Sequence, residues 1–118
     1  MIYFKKKRFN EAEKLAIFIT QIFPTNQFSW EALWAALQKN GKIKESLSAI
    51  QKSVQLSPKD PKEHYSLGIT LQSLERFKRA EASFTKAIAL NPKCYLASFR
   101  LGAILQVLRG SRKHSNLI

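Results

Sequence analysis

The sequence predicts an all-α fold in which a pair of helices is repeated along the chain, and three observations support this prediction. Prolines recur every 34 residues, at Pro24, Pro58 and Pro92, and a fixed period of this length is typical of a copied supersecondary unit. Apolar residues return at three- and four-residue spacing, as they do on one face of a helix. No stretch alternates between polar and apolar residues for long enough to form a strand. One copy alone cannot bury its apolar face, so the copies are expected to stack.

The individual helices follow from this spacing, taken in chain order. Helical periodicity extends over residues 10–22, 27–40, 43–56, 61–74, 77–90 and 95–109. Turn residues such as Gly41 and Pro58 separate these segments. Asp60 is expected to cap the helix that begins at Pro61, because a short acidic side chain can accept hydrogen bonds from the first backbone N–H groups.

The residues that keep the period resemble the tetratricopeptide repeat. That pattern consists of a Trp, a Leu-Gly pair, an aromatic residue, Ala-x-x-x-Phe and a closing Pro, and the matching positions here are Trp30, Leu67-Gly68, Ala80, Phe84, Pro92 and Leu101-Gly102. The chain is therefore similar to bacterial tetratricopeptide repeat (TPR) arrays. The resemblance implies a helix-turn-helix solenoid, an α-α superhelix, over about residues 1–110.

The period also divides the chain. We expect a partial repeat at 1–26, full repeats at 27–60 and 61–94, a partial repeat at 95–110 and an irregular tail at 111–118. Both ends look cut, as in a fragment of a longer array. The uncovered leucines of the last predicted helix, Leu101, Leu105 and Leu108, favour self-association through this end.

Composition limits the classes of protein that the chain can belong to. Its 118 residues include a single cysteine, Cys94, which excludes an internal disulfide framework. We found no signal peptide pattern and no apolar stretch long enough to cross a membrane. The expected location is the cytoplasm.

The net charge of +12 is partly ordered. Arg8, Lys42 and Arg76 are 34 residues apart and are predicted in the turn between the two helices of each repeat; Lys44 and Lys78 are also equivalent. Stacked turns would form a basic edge that attracts an anionic partner, namely an acidic protein, RNA or a membrane surface. The alternative is a solvated edge with no partner.

No catalytic, metal-binding or cofactor-binding pattern is present in the sequence. His64 and His114 lie in different contexts, and neither has a second ligand at a zinc-like spacing. His64 replaces the Trp of its repeat, so we expect a packed structural histidine. The four glycines form no phosphate-binding loop. The chain is therefore expected not to be an enzyme and to need no cofactor.

The resemblance implies where a partner would bind, because the first helices of such arrays line a concave groove for extended peptides. The groove positions here are Phe28, Gln38, Tyr65, Ile69, Gln72, Phe99 and Gln106. The glutamines are equivalent and could bond a peptide backbone; alternatively, they are exposed helix-forming residues that were duplicated. At the positions of the family's carboxylate-binding clamp, only Arg100 fits, so the chain is a poor match to that clamp.

The sequence thus favours a non-catalytic protein-interaction scaffold. Two other functions stay open: a substrate-positioning segment of a larger glycosyl-, sulfo- or methyltransferase, and an RNA- or anion-binding solenoid that uses the basic edge. One departure from the family pattern concerns packing. Trp34 stands where a small residue is expected, and Ala16, Ser46 and Ser53 are small where compensation is needed.

Overall fold

The computed structural model describes the backbone of residues 2–116 and the side chains of residues 8–110. Within this part the chain forms six α-helices and no strand: α1 (Ile2–Ile22), α2 (Gln27–Lys39), α3 (Ile43–Leu56), α4 (Pro61–Ser73), α5 (Phe77–Leu90) and α6 (Tyr95–Asn116). The all-α helical repeat predicted from the sequence is confirmed. The chain divides into two compact units, Met1–Ser57 and Pro58–Ile118. The division falls at the turn between two repeats.

The first unit contains α1, α2 and α3, of which α1 packs on α2 and α2 packs on α3. Its core is a cluster of small and branched side chains: Ala16, Leu33, Ala36, Leu37 and Ala49. Trp30 and Trp34 are partly buried and pack against this cluster. The alanines leave room for these two large rings, so the cluster accommodates a second tryptophan.

The second unit contains α4, α5 and α6, of which α4 packs on α5 and α5 packs on α6. Phe84 of α5 is fully buried. Gly68 of α4 allows this ring to approach, because a Cβ at Gly68 would lie only 2.6 Å from Cε1 of Phe84. The glycine of the Leu-Gly pair therefore has a packing role in this unit.

Equivalent positions make equivalent contacts at the helix starts. The side chain of Asn26 caps α2 by accepting from the N–H of Phe28, and Asp60 caps α4 by accepting from the N–H of Lys62, as predicted for Asp60. Nε1 of Trp30 donates to the carbonyl oxygen of Pro24 at 2.8 Å. Nε2 of His64, 34 residues later, lies 2.7 Å from the carbonyl oxygen of Pro58. His64 thus takes the place of a tryptophan in a structural bond.

The turn predicted around Arg8 is wrong, because α1 runs without interruption from Ile2 to Ile22. The corresponding turns of the later repeats each contain a residue with positive φ, Gly41 at 76° and Glu75 at 60°. The equivalent place in α1 is Lys7, inside a run of lysines and an arginine. These residues have high helix propensity and none is a helix breaker, so the helix continues.

The irregular tail predicted at 111–118 is wrong for residues 111–116, which continue α6 to Asn116. The prediction was made because this stretch lacks the residues with which the second helix of a repeat packs. The backbone conformation here follows instead from the helix propensity of the residues themselves. No proline interrupts this stretch, and Arg112 and Lys113 favour helix. Residues 117–118 lie outside the described part of the chain.

Candidate functional site

The second unit brings three polar side chains together on α4 and α6, which occupy the same place in successive repeats. Nε of Arg100 donates to the hydroxyl oxygen of Tyr65 at 3.1 Å. Nη1 of Arg100 donates to Oε1 of Gln72 at 3.0 Å. The guanidinium carbon lies 5.9 Å from the centroid of the Tyr65 ring, within the range of a cation–π contact. Arg100 of α6 is therefore held by two side chains of α4.

The core of the unit positions these side chains. Tyr65 and Gln72 are two helical turns apart on α4, so they lie on one face of that helix. The ring of Tyr65 also packs against Phe84, with 5.8 Å between the ring centroids and a tilted arrangement. Because Phe84 is fully buried, the Tyr65 ring is anchored on the core while its hydroxyl oxygen accepts a hydrogen bond from Arg100.

This cluster carries a net positive charge. Arg100 is half-buried, and both of its side-chain partners are neutral. Among the side chains that the structure describes, no carboxylate is paired with it. A guanidinium has five N–H donors in a planar fork that matches a carboxylate. The two bonds to α4 leave several of these donors for a ligand.

Exposed apolar side chains lie beside this cation on α6. Tyr95, Leu96 and Phe99 are among the most exposed large side chains described, with 74%, 66% and 78% of their surface accessible. Together with Arg100 they form a surface with apolar area and one cation, which we call the Arg100 surface: Tyr65, Gln72, Tyr95, Leu96, Phe99 and Arg100. Such a surface can bind an apolar side chain and a carboxylate at neighbouring points.

The predicted groove residues differ in their surroundings. Tyr65 and Gln72 are joined through Arg100, Ile69 lies half-buried between them on α4, and Phe99 and Gln106 are exposed on α6. In the first unit, Phe28 is exposed and Gln38 is half-buried. Sequence reasoning did not include Arg100 in the groove set. The signal that could have found it was its match to the carboxylate-binding position.

The basic edge is altered by an ion pair in the first unit. Nζ of Lys42 lies 2.9 Å from a carboxylate oxygen of Glu13, and this hydrogen bond raises the pKa of Lys42. Asn40 donates from Nδ2 to the same carboxylate at 3.1 Å and to the carbonyl oxygen of Phe9 at 3.2 Å. Lys42 therefore fastens the start of α3 to α1.

The other predicted edge residues are exposed. Arg8 lies on α1, Lys44 in the first turn of α3, and Arg76 and Lys78 at the start of α5. A ladder of all five cations stays a prediction. Among the described residues, no helix is long and apolar enough to cross a membrane.

Comparisons with known proteins agree with the repeat. The sequence model of the tetratricopeptide repeat family matches residues 61–94, the range of the second full repeat. No curated protein sequence matches the chain.

Several solved structures share the fold. The first TPR of Spaghetti (RPAP3), bound to an HSP90 peptide, has a TM-score of 0.82 at 21% identity, covering 91% of this chain and 85% of that one. The Yersinia enterocolitica type III secretion chaperone SycD, in complex with a peptide of the translocator YopD, has a TM-score of 0.76 at 15% identity, covering 92% and 86%. A Thermobaculum terrenum O-GlcNAc transferase mutant has a TM-score of 0.74 at 23% identity, covering 85% of this chain and 19% of that one.

Proposed function

Because the chain is a tetratricopeptide-repeat protein, we propose that it is a non-catalytic interaction module and that the Arg100 surface binds an extended peptide of a partner protein. In this proposal a carboxylate of the peptide pairs with Arg100. Apolar side chains of the peptide pack on Phe99 and Leu96. The observation that carries the proposal is the position of Arg100, a half-buried cation whose two side-chain bonds go to neutral groups.

The bonds to Tyr65 and Gln72 support this role because they orient the guanidinium before a ligand arrives. A cation that is already ordered loses less conformational entropy on binding. Charge-assisted bonds between arginine and carboxylate are about twice as strong as neutral ones. The preferred ligand is therefore an acidic peptide, or a peptide that ends at this point with a free C-terminal carboxylate.

Two further observations agree with an acidic peptide. The net charge of +12 favours association with anionic partners. The Spaghetti domain is bound to a peptide of sequence SRMEEVD, and SycD is in complex with a translocator peptide. Those complexes concern other proteins, and they make a short acidic peptide the reasonable first ligand to test.

The test is a titration with the peptide SRMEEVD in two forms, one with a free C-terminal carboxylate and one with an amide. Replacement of Arg100 by Ala is expected to weaken binding of the free acid about tenfold or more, because a hydrogen bond to a charged group contributes about 1.5–3 kcal/mol. Arg109→Ala is the matched control, since it removes an exposed arginine from the same helix. Equal affinities of wild type and Arg100→Ala would exclude this site.

The three equivalent glutamines form a second part of the proposal. Replacing Gln38, Gln72 and Gln106 together with Ala is expected to weaken peptide binding while helicity stays unchanged. Gln72→Ala alone has a specific reason to act, because it removes one of the two bonds that orient Arg100. Unchanged affinity of the triple variant would leave the glutamines as helix-forming residues only.

Two alternative functions keep their own tests. A substrate-positioning segment of a larger transferase is supported by the likeness to part of an O-GlcNAc transferase, of which 19% is covered, and the full reading frame would decide it. An RNA- or anion-binding role of the basic edge predicts binding that weakens steeply with salt. Reversal of Arg8, Lys44 and Arg76 to Glu should abolish that binding and leave peptide affinity at Arg100 nearly unchanged.

A further inference from the structure

The first unit contains an open apolar groove between α1 and α2, separate from the Arg100 surface. Its volume is about 450 Å³. On the α1 side it is lined by Arg8, Phe9, Ala12, Leu15, Ala16 and Ile19, and on the α2 side by Ala32, Ala35, Ala36 and Lys39. Five of these side chains are alanines, so the floor carries little bulk. A floor of small side chains lets another helix approach closely.

The groove continues into an apolar stripe on α1. Leu15, Phe18 and Ile22 recur at helical spacing and are 60%, 56% and 50% exposed. Leu15 belongs to both the stripe and the groove, so the two form one surface. Contiguous apolar area of this kind on a basic chain marks an interaction site rather than a solvated face.

Positive charge borders this surface. Arg8 and Lys39 both line the groove, and Nζ of Lys39 lies 5.7 Å from the centroid of the Phe9 ring. Among the side chains that the structure describes, the lining contains no carboxylate. Glu13, which follows the lining residue Ala12 in α1, is paired with Lys42 and Asn40. A ligand that fits must therefore bring apolar side chains and negative charge.

We propose that the groove and the stripe bind one amphipathic helix of an acidic partner protein. Apolar side chains spaced by three and four residues would lie over the alanines and beside Leu15 and Phe18. Carboxylates at the adjoining turn would meet Arg8 and Lys39. A surface between residues 8 and 22 is about 21 Å long, which corresponds to a helix of about 14 residues. This is the helix-in-groove mode of recognition.

A second copy of the chain fits this surface less well than an acidic partner. Among the described side chains, α6 has the most exposed large apolar residues. This helix contains no aspartate or glutamate and carries Arg100, Arg109, Arg112 and Lys113. Placing it on the groove would bring further positive charge to Arg8 and Lys39. Repulsion between like charges weakens association, so charge complementarity favours a different, acidic chain.

The experiment measures the binding of synthetic helical peptides to the whole chain. One series of 14-residue peptides carries leucines at helical spacing and two glutamates, placed at the start, the middle or the end. The matched series carries lysines instead of glutamates. Fluorescence anisotropy is expected to show saturable micromolar binding of the glutamate helix whose charges coincide with Arg8 and Lys39, and binding at least tenfold weaker of its lysine counterpart.

Variants locate the site. The double reversal Arg8→Glu with Lys39→Glu is expected to weaken binding of the glutamate helix roughly 5- to 25-fold, with Lys44→Glu and Lys52→Glu as the matched control for net charge. Leu15→Ser with Phe18→Ser should abolish binding, and because both side chains are exposed the fold should persist by circular dichroism. Arg100→Ala should leave helix binding unchanged, which separates this site from the Arg100 surface.

Three results would overturn the proposal. The first is equal binding of the glutamate and lysine helices, or none by either series. The second is dimerisation by light scattering that Leu15→Ser with Phe18→Ser abolishes, which would assign the surface to a second copy. The third is displacement of every peptide by sodium dodecanoate without discrimination by charge, which would assign the groove to an acyl chain.

Discussion

Replacement of Gly68 by Ala tests the packing that joins α4 to α5. A Cβ at this position would lie 2.6 Å from Cε1 of Phe84 and 2.8 Å from both Cδ1 and Cζ. These distances are far inside van der Waals contact. Phe84 cannot move aside, because it is fully buried and its ring packs against Tyr65. The substitution must therefore shift either the ring or the helix.

The expected magnitude is the balance of two effects. Overpacking of a close-packed core costs about 1–3 kcal/mol, and the severity of this contact places it near the upper figure. Alanine gains about 1 kcal/mol over glycine inside a helix. The net loss is about 2 kcal/mol, which for a chain of 118 residues lowers Tm by about 8 °C.

The assay is thermal and urea denaturation followed by circular dichroism. Gly102→Ala is the matched control, since Gly102 is the equivalent residue one repeat later and a Cβ there meets no heavy atom within 4 Å. Gly102→Ala should raise Tm by about 3–4 °C, because only the propensity term applies. If Gly68→Ala were as stable as wild type, or if both variants lost stability equally, the reasoning about Phe84 would be wrong.

Three other predictions concern an ion pair, a cap and α6. The pKa of Lys42 is raised above its ordinary value of 10.5, chiefly by its hydrogen bond to Glu13. The stabilisation of the folded state by this ion pair is therefore complete below pH 10.5 and is lost as pH rises through the raised pKa. Urea titrations from about pH 9 to 11.5 should show this loss in wild type and not in Lys42→Met. Asp60→Ala should cost about 1 kcal/mol through the lost cap of α4, and an unchanged urea midpoint would contradict this. Light scattering at rising concentration should show self-association through the exposed Leu105 of α6, whereas a strict monomer would refute it.

The helices could be predicted from the sequence because burial and helical spacing act together within each repeat. For α2 to α5, the predicted ends differ from the observed ones by one residue at most. The turns at Gly41 and Pro58 were predictable from local chemistry. Glu75 was not, since φ of 60° is unfavourable for glutamate. There the packing of α4 on α5 determines the backbone, and a propensity argument contains no information about that packing.

The ends of the chain show the opposite case, in which local propensity decides and the repeat pattern misleads. Around Arg8 the pattern predicted a turn, but the lysine-rich stretch continues α1. From Ser111 onward the pattern predicted the start of a poor second helix, but the residues continue α6. In both places the described structure offers no packed helix pair that would enforce a turn, so helix-forming side chains prevail.

The candidate site was only partly predictable. Position in the repeat placed Tyr65 and Gln72 on the same face, but the third member, Arg100, lies 28 residues beyond Gln72 and on another helix. The ion pair of Lys42 with Glu13 was unpredictable for the same reason, since 29 residues separate the partners. Such pairings depend on side-chain directions across packed helices, which spacing along one helix does not specify.

Trp34 and Gly68, which are equivalent residues of the two units, show that one repeat pattern permits two ways of packing a helix pair. In the second unit a glycine and a large ring, Gly68 and Phe84, share the space. The equivalent residues in the first unit are Trp34 and Ile50, so the bulk lies on the other helix. An added indole would normally cost about 1–3 kcal/mol through overpacking. Here Trp34 packs against a cluster that contains three alanines, and Ser46 and Ser53 are fully buried nearby in α3. Small partners therefore accommodate the large ring, and the unit keeps its helix pair without the glycine.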